Sequence, residues 1–297
     1  MTVIENPKLN SIIPFLNDNL DDLEKVLNDN PSLYIMDNMM LAKIRKDFVK
    51  NPFMVSGLNA SNIVVIPEII LEEASKNLPN EEAFRRHYYE IFHILSQEKE
   101  VYVVNLELIL ELLQSMASKK DALNLLRNIA IEAVRINPVI SDVIRGTDVN
   151  ATTALEELNG AIIHNGKNAG ERFITTFALV LLSMYYSPVY IFSEDVKGIY
   201  GAFRTFISNE RLMDLIDISD ALELIEQYKF ISYESLIQSV YLEEDLSEDE
   251  LMDLIVTCDR NRSRNILYSL DGHLCHTSIS DENLSKWISE GIIKFQF

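Results

Sequence analysis

The chain has 297 residues, 47% of them hydrophobic and 24% charged, a balance that predicts a full-sized folded core and excludes widespread disorder. It has no run of about 18 apolar residues, no basic-then-apolar leader, and two cysteines, Cys258 and Cys275. The expectation is a cytoplasmic protein with no membrane association and no disulfide framework. The formal net charge of −20 argues against a sequence-independent grip on nucleic acid through a basic surface. That charge is uneven: residues 206–297 carry 19 acids and 7 bases, and residues 1–205 carry 27 acids and 19 bases. Acids clustered around one cation would account for part of the excess in the longer segment.

In chain order, residues 11–28 set apolar positions among Asp and Asn at the spacing of a short amphipathic helix, which Asn28-Asp29-Asn30-Pro31 breaks. Leu33–Met36 is a compact apolar run ending abruptly at Asp37, as a buried strand would with an acid at its carboxyl end. A second run, residues 63–66, stops at Pro67, and the register of Ile69, Ile70, Glu72, Glu73 and Ala74 is helical. A third, residues 101–104, leads into helical spacing over residues 106–116 and helical sequence to about Val143. Residues 171–185 are again helical, and Val189–Phe192 is a fourth strand running into Ser193-Glu194-Asp195.

Strands alternating with helices predict an α/β fold with a mainly parallel central sheet covered on both faces. From about Asn209 no strand alternation is seen until residues 292–297, and Ser247-Glu248-Asp249-Glu250 is a capping-box signature. The expected organisation is a helical N-terminal extension (1–29), an α/β domain (30–205) and an acidic, mostly helical C-terminal region (206–297).

Ligands of open parallel sheets sit beyond the carboxyl ends of the strands. Asp37 and Asp195 each follow an apolar strand, while Glu73 and Glu171 fall early in helices, so all four can face one crevice. Carboxylates gathered there repel and partly protonate unless a cation neutralises them, and an oxygen-only donor set favours Mg²⁺ or Mn²⁺. For any one of these acids taken alone, a solvated residue or helix cap is the commoner role.

Four segments together resemble the PIN-domain nucleases. Leu33-Tyr34-Ile35-Met36-Asp37 is similar to the first motif of that family, an apolar strand ending in Asp. Val64-Val65-Ile66-Pro67 followed by Glu73 is similar to the second, in which an acid stands six residues after a Pro. Gly170-Glu171 resembles the third, with Asp148, Glu156 and Glu157 as alternatives, and residues 189–195 resemble the fourth, where a hydroxyl residue and an Asp follow the last core strand.

The resemblance covers residues 30–205 and implies a PIN-like three-layer α/β/α fold. It further implies a divalent-metal-dependent endoribonuclease, a hydrolase of single-stranded RNA, with Asp37, Glu73, Glu171 and Asp195 as catalytic and metal-binding acids for Mg²⁺ or Mn²⁺. Asn38 and Ser193 would support the ion's water shell or cap their helices, and Lys167, Arg172, Lys197 and Arg204 would receive phosphates. A basic protein partner such as an antitoxin, or an oligomer, is compatible with the acidic tail. The alternative is a non-catalytic PIN-like protein-interaction module, which the charge of −20 favours. Cys258, His273, Cys275 and His276 lack the spacing of a zinc site.

Overall fold

The computed structural model describes residues 6–134, 151–164, 168–195, 198–258, 266–270, 273–292 and 294. Its strands are β1 (Leu33–Met36), β2 (Ile63–Pro67), β3 (Glu100–Val104), β4 (Val189–Phe192), β5 (Tyr228–Ile231), β6 (Ile266–Leu270) and β7 (His273–Thr277). The helices are α1 (Leu20–Asp29), α2 (Asn38–Lys50), α3 (Glu68–Lys76), α4 (Glu81–Glu98), α5 (Leu106–Gln114), α6 (Lys119–Val134), α7 (Ala151–Asn159) and α8 (Ala169–Ser183). They continue with α9 (Ile199–Phe206), α10 (Glu210–Leu215), α11 (Ala221–Gln227), α12 (Tyr233–Glu243), α13 (Glu248–Thr257) and α14 (Asp281–Ser289).

Strands β1 to β5 form one sheet in the order β3-β2-β1-β4-β5, and every neighbouring pair is parallel. The apolar runs explain this placement: every residue of β1 and β2 is buried, and only Glu100 of β3 is exposed. A strand without a polar face needs cover on both sides. One group of helices, α2, α3, α4 and α12 with the 3₁₀ turn Pro52–Gly57, packs together, and a second group, α5, α6, α8, α9 and α10, does the same. The α/β class and parallel sheet expected from the sequence are therefore present. Among the described residues no helix is long and apolar enough to cross a membrane.

The two ends of the chain depart from the sequence reading. In place of one helix over residues 11–28 there is a 3₁₀ segment, Pro7–Phe15, then α1. Pro14 lies inside the first piece, and the Asn19 side chain caps the second. Between them Asn17 pairs with the outer edge of β3, donating to the Val101 carbonyl at 2.8 Å and accepting from Val103 at 3.0 Å. The extension thus covers a sheet edge that would otherwise be open to strand addition.

Beyond residue 205 the sheet continues, because β5 pairs with β4 along its whole length. The reading of no strand before residue 292 is corrected by β5 and by the antiparallel hairpin β6–β7. A four-residue strand that starts directly after a helix leaves no periodicity to recognise. The capping box at Ser247 and Glu250 does open α13 as expected.

A buried contact joins α12 to the core: the Tyr233 hydroxyl donates to the carboxylate of Asp47 on α2, and both residues are fully buried. Burial and the nearby Cys258 and Asp47 push the Tyr233 phenol far up, so it stays a donor. Tyr233→Phe leaves Asp47 short of this donor and is expected to lower stability by about 1–3 kcal/mol. Urea denaturation measures it, and an unchanged midpoint would contradict the account.

Candidate metal centre

The crevice arises where β1 and β4 lie side by side while their following helices leave in different directions, the position at which open α/β sheets bind ligands. Met36 is in register with Phe192, so Asp37 and Ser193 are the next residues out on neighbouring strands. The Asp37 N–H donates to the Phe192 carbonyl at 3.2 Å, and the Ser193 N–H donates to Ile231 of β5 at 3.2 Å. Both residues are buried, and the Ser193 hydroxyl donates to Asp37 Oδ2 at 2.9 Å. The same hydroxyl oxygen accepts from the Asp195 N–H at 3.0 Å. Ser193 thereby links the first acid to the last.

The sequence reading that put Glu73 early in a helix is corrected: Glu73 stands mid-way along α3, whereas Glu171 lies in the first turn of α8 and Asp195 in the loop before α9. The charge of Asp195 acts on Glu171 and raises its carboxyl, adding to the larger effect of burial. Asp195 Oδ1 also accepts from the Gly198 N–H at 2.9 Å. Glu73, on α3, accepts a backbone N–H from Gly170 and is repelled by Glu171. Asp37 in turn is repelled by Glu171 and Asp195. All four acids predicted from the sequence are thus brought into one electrostatic cluster.

Two glycines make this approach possible. A Cβ on Gly198 would stand 1.9 Å from Asp195 Oδ2 and 3.1 Å from Glu171 Cγ. A Cβ on Gly170 would stand 2.7 Å from Ile70 Cδ1 and 3.3 Å from Glu73 Oε2. Any side chain at either position would enter the space the carboxylates occupy.

Burial dominates the electrostatics. It raises Asp37 from an ordinary 3.8 to about 7, partly opposed by the Ser193 hydrogen bond and reinforced by the charges of Glu171 and Asp195. Burial likewise raises Glu73 and Glu171, with the neighbouring acids adding to the shift. These are the properties of a donor set short of positive charge, and its all-oxygen chemistry fits a hard divalent cation. Among the described residues, no three His, Cys, Asp or Glu side chains stand in metal-ligating geometry. The Ser193 hydroxyl and the backbone N–H groups of Asn38, Gly170 and Gly198 serve Asp37, Glu73 and Asp195.

Of the remaining sequence candidates, Asn38 contributes its backbone N–H to Asp37. Arg172 is half-buried and lines a cavity of about 150 Å³ together with Glu171. Lys167, Lys197 and Asp148 lie outside the described residues. Glu156 is exposed on α7, and Glu171, not Glu156, is the acid found in the cluster.

Glu194 has only 15% of its side chain exposed and forms an ion pair with Lys43 of α2. Lys43 also lies 5.7 Å from the centre of the Tyr233 ring. Sequence reasoning missed Lys43, whose position as the sixth residue of a helix marks nothing until α2 is laid against the loop after β4.

Because folding raises Asp37, the folded state holds its proton more tightly than the unfolded chain does. Below about pH 4 both states hold it and no cost arises; between about pH 4 and pH 7 the unfolded chain ionises first and stability falls. A change from 3.8 to about 7 corresponds to about 4 kcal/mol at most. Asp37→Asn is therefore expected to raise the melting temperature of the metal-free protein at pH 8 and to leave it nearly unchanged at pH 4. Equal shifts at both values would contradict the assigned burial cost. No protein-family model matches the chain, and neither curated proteins nor solved structures give a match, so the chemistry of this cluster is read from its own residues.

Proposed function

We propose that the chain is a divalent-metal-dependent endoribonuclease with a PIN-like site, acting on single-stranded RNA. The observation supporting this is the electrostatic coupling of Glu171 to Asp37, Glu73 and Asp195, acids from four separate segments, beside the ends of β1 and β4. Asp37 and Asp195 would hold Mg²⁺ or Mn²⁺ directly, with Glu73 and Glu171 as further ligands or as acceptors that orient water. When bound, such an ion lowers the pKa of water and neutralises phosphate charge.

The chain's own residues prepare the site. Ser193 fixes Asp37 and the backbone of Asp195, and the Gly198 N–H fixes the Asp195 carboxylate. Lys43 neutralises Glu194, so that its charge adds less to the repulsion. Arg172 stands beside Glu171 where a substrate phosphate would need a cation. Hydrolysis joins a water oxygen to phosphorus and breaks the bond to the 3′-oxygen, which takes the proton and leaves a 5′-phosphate on the other fragment.

A second reading, a non-catalytic PIN-like module that binds a basic protein such as an antitoxin, is favoured by the net charge of −20. Purified protein incubated with single-stranded RNA and Mn²⁺ decides between them. Asp37→Asn is expected to lose at least about a hundredfold in cleavage rate, and equal rates would overturn the nuclease. Calorimetry showing no Mn²⁺ binding at millimolar concentration would support the interaction module. Gly198→Ala, which pushes Asp195 off its backbone donor, is expected to weaken Mn²⁺ binding about tenfold or more; an unaltered affinity would remove Asp195 from the ligand set.

A further inference from the structure

We propose that Lys43 is a positioning residue of the acid cluster: its ammonium, held over the Tyr233 ring, fixes Glu194 and through it the loop that carries Asp195. This deepens the nuclease reading and rests on it for its catalytic meaning, although the order it assigns to the loop is measurable without metal or RNA.

The loop after β4 is tied at three successive residues. Ser193 donates its N–H to Ile231 and its hydroxyl to Asp37, and Asp195 bonds the Ser193 hydroxyl oxygen and the Gly198 N–H. Asp195 takes both of these bonds from its own loop, whereas Glu194 reaches across to Lys43 of α2. Each side chain of that pair is 15% exposed, so its charges are largely withdrawn from water and either one left alone there is costly. Lys43 and Asp47 stand one turn apart on the same side of α2. Tyr233, at the start of α12, meets both: its hydroxyl donates to Asp47, and its ring centre lies 5.7 Å from the Lys43 ammonium. An aromatic face and a carboxylate together restrict a side chain that otherwise samples many rotamers.

Charge and position predict opposite signs for the loss of Lys43. It is a cation near a site proposed to hold a cation. Deleting it, with the Glu194 carboxylate left unpaired, would by Coulomb attraction alone tighten Mn²⁺ binding. Loss of position weakens binding instead, because Asp195 no longer meets the ion in a fixed geometry; outer residues that orient ligands contribute about ten- to a hundredfold in metal affinity. The sign of the change therefore separates a positioning residue from a nearby charge.

The test measures amide hydrogen exchange by NMR in the metal-free full chain, and Mn²⁺ affinity by calorimetry, for the wild type, Lys43→Met, Lys43→Arg and Tyr233→Phe. Lys43→Met is expected to speed exchange at Asp195 and Gly198 at least about tenfold relative to the amides of β1, and to weaken Mn²⁺ binding about tenfold. Lys43→Arg keeps the cation and is expected to restore most of both. Tyr233→Phe keeps the ring and loses the bond to Asp47, so it lowers overall stability while exchange at Asp195 relative to β1 stays near the wild-type value. Unchanged exchange at Asp195 and Gly198 in Lys43→Met, equal speeding in Tyr233→Phe, or tighter Mn²⁺ binding by Lys43→Met would overturn the proposal. Should Lys43→Met fail to fold, Glu194→Ala breaks the same pair from the loop side, and unchanged exchange in it would count against Lys43. Mn²⁺-dependent cleavage with unchanged exchange in Lys43→Met rejects the positioning role and leaves the nuclease reading standing. Faster exchange in Lys43→Met, in a protein whose wild type neither binds Mn²⁺ nor cleaves RNA, supports the positioning of Asp195 and rejects the nuclease.

Discussion

Carboxylates buried near one another raise each other's energy, and the fold around this crevice is organised to hold them there. Three helix N-termini supply backbone N–H groups to the acids. Asn38 at the start of α2 serves Asp37, Gly170 at the start of α8 serves Glu73, and Gly198 before α9 serves Asp195. Helix starts carry partial positive charge, so these donors offset part of the repulsion. The offset is incomplete, since Asp37, Glu73 and Glu171 all remain above the ordinary carboxylate range. A positively charged occupant or proton exchange would relieve such a cost.

The sheet makes the convergence geometrically possible. With β1 at its centre and β4 beside it, the residues after both strands emerge at one edge of the sheet in adjacent register. The segment after residue 205 belongs to that support. Strand β5 holds Ser193 through its backbone, and Tyr233 just beyond it anchors α2 through Asp47. The same helix carries Lys43 to Glu194, one residue before Asp195. The acidic C-terminal region therefore buttresses the crevice.

Strands β1, β2, β3 and β4 were legible in the sequence because each is an apolar run cut off sharply, three of them by Asp37, Pro67 and Ser193. The acids were legible because strand ends in a parallel sheet have a known destination. What the sequence hid depends on tertiary contact. Tyr228–Ile231 becomes a strand only because β4 offers it an edge. Asn17 becomes an edge cover only because the sheet ends at β3, and the helix expected across residues 11–28 yields to that pairing. Gly170 and Gly198 look like ordinary loop glycines until the carboxylates beside them are placed, and Lys43 looks like a solvated helix lysine until Glu194 meets it.

The most direct measurement is anomalous diffraction from crystals grown with Mn²⁺. The account predicts a single strong peak between β1 and β4, with oxygens of Asp37 and Asp195 as ligands. A map with no peak there, or with Mn²⁺ held only on the acidic surface of residues 243–250, would contradict it.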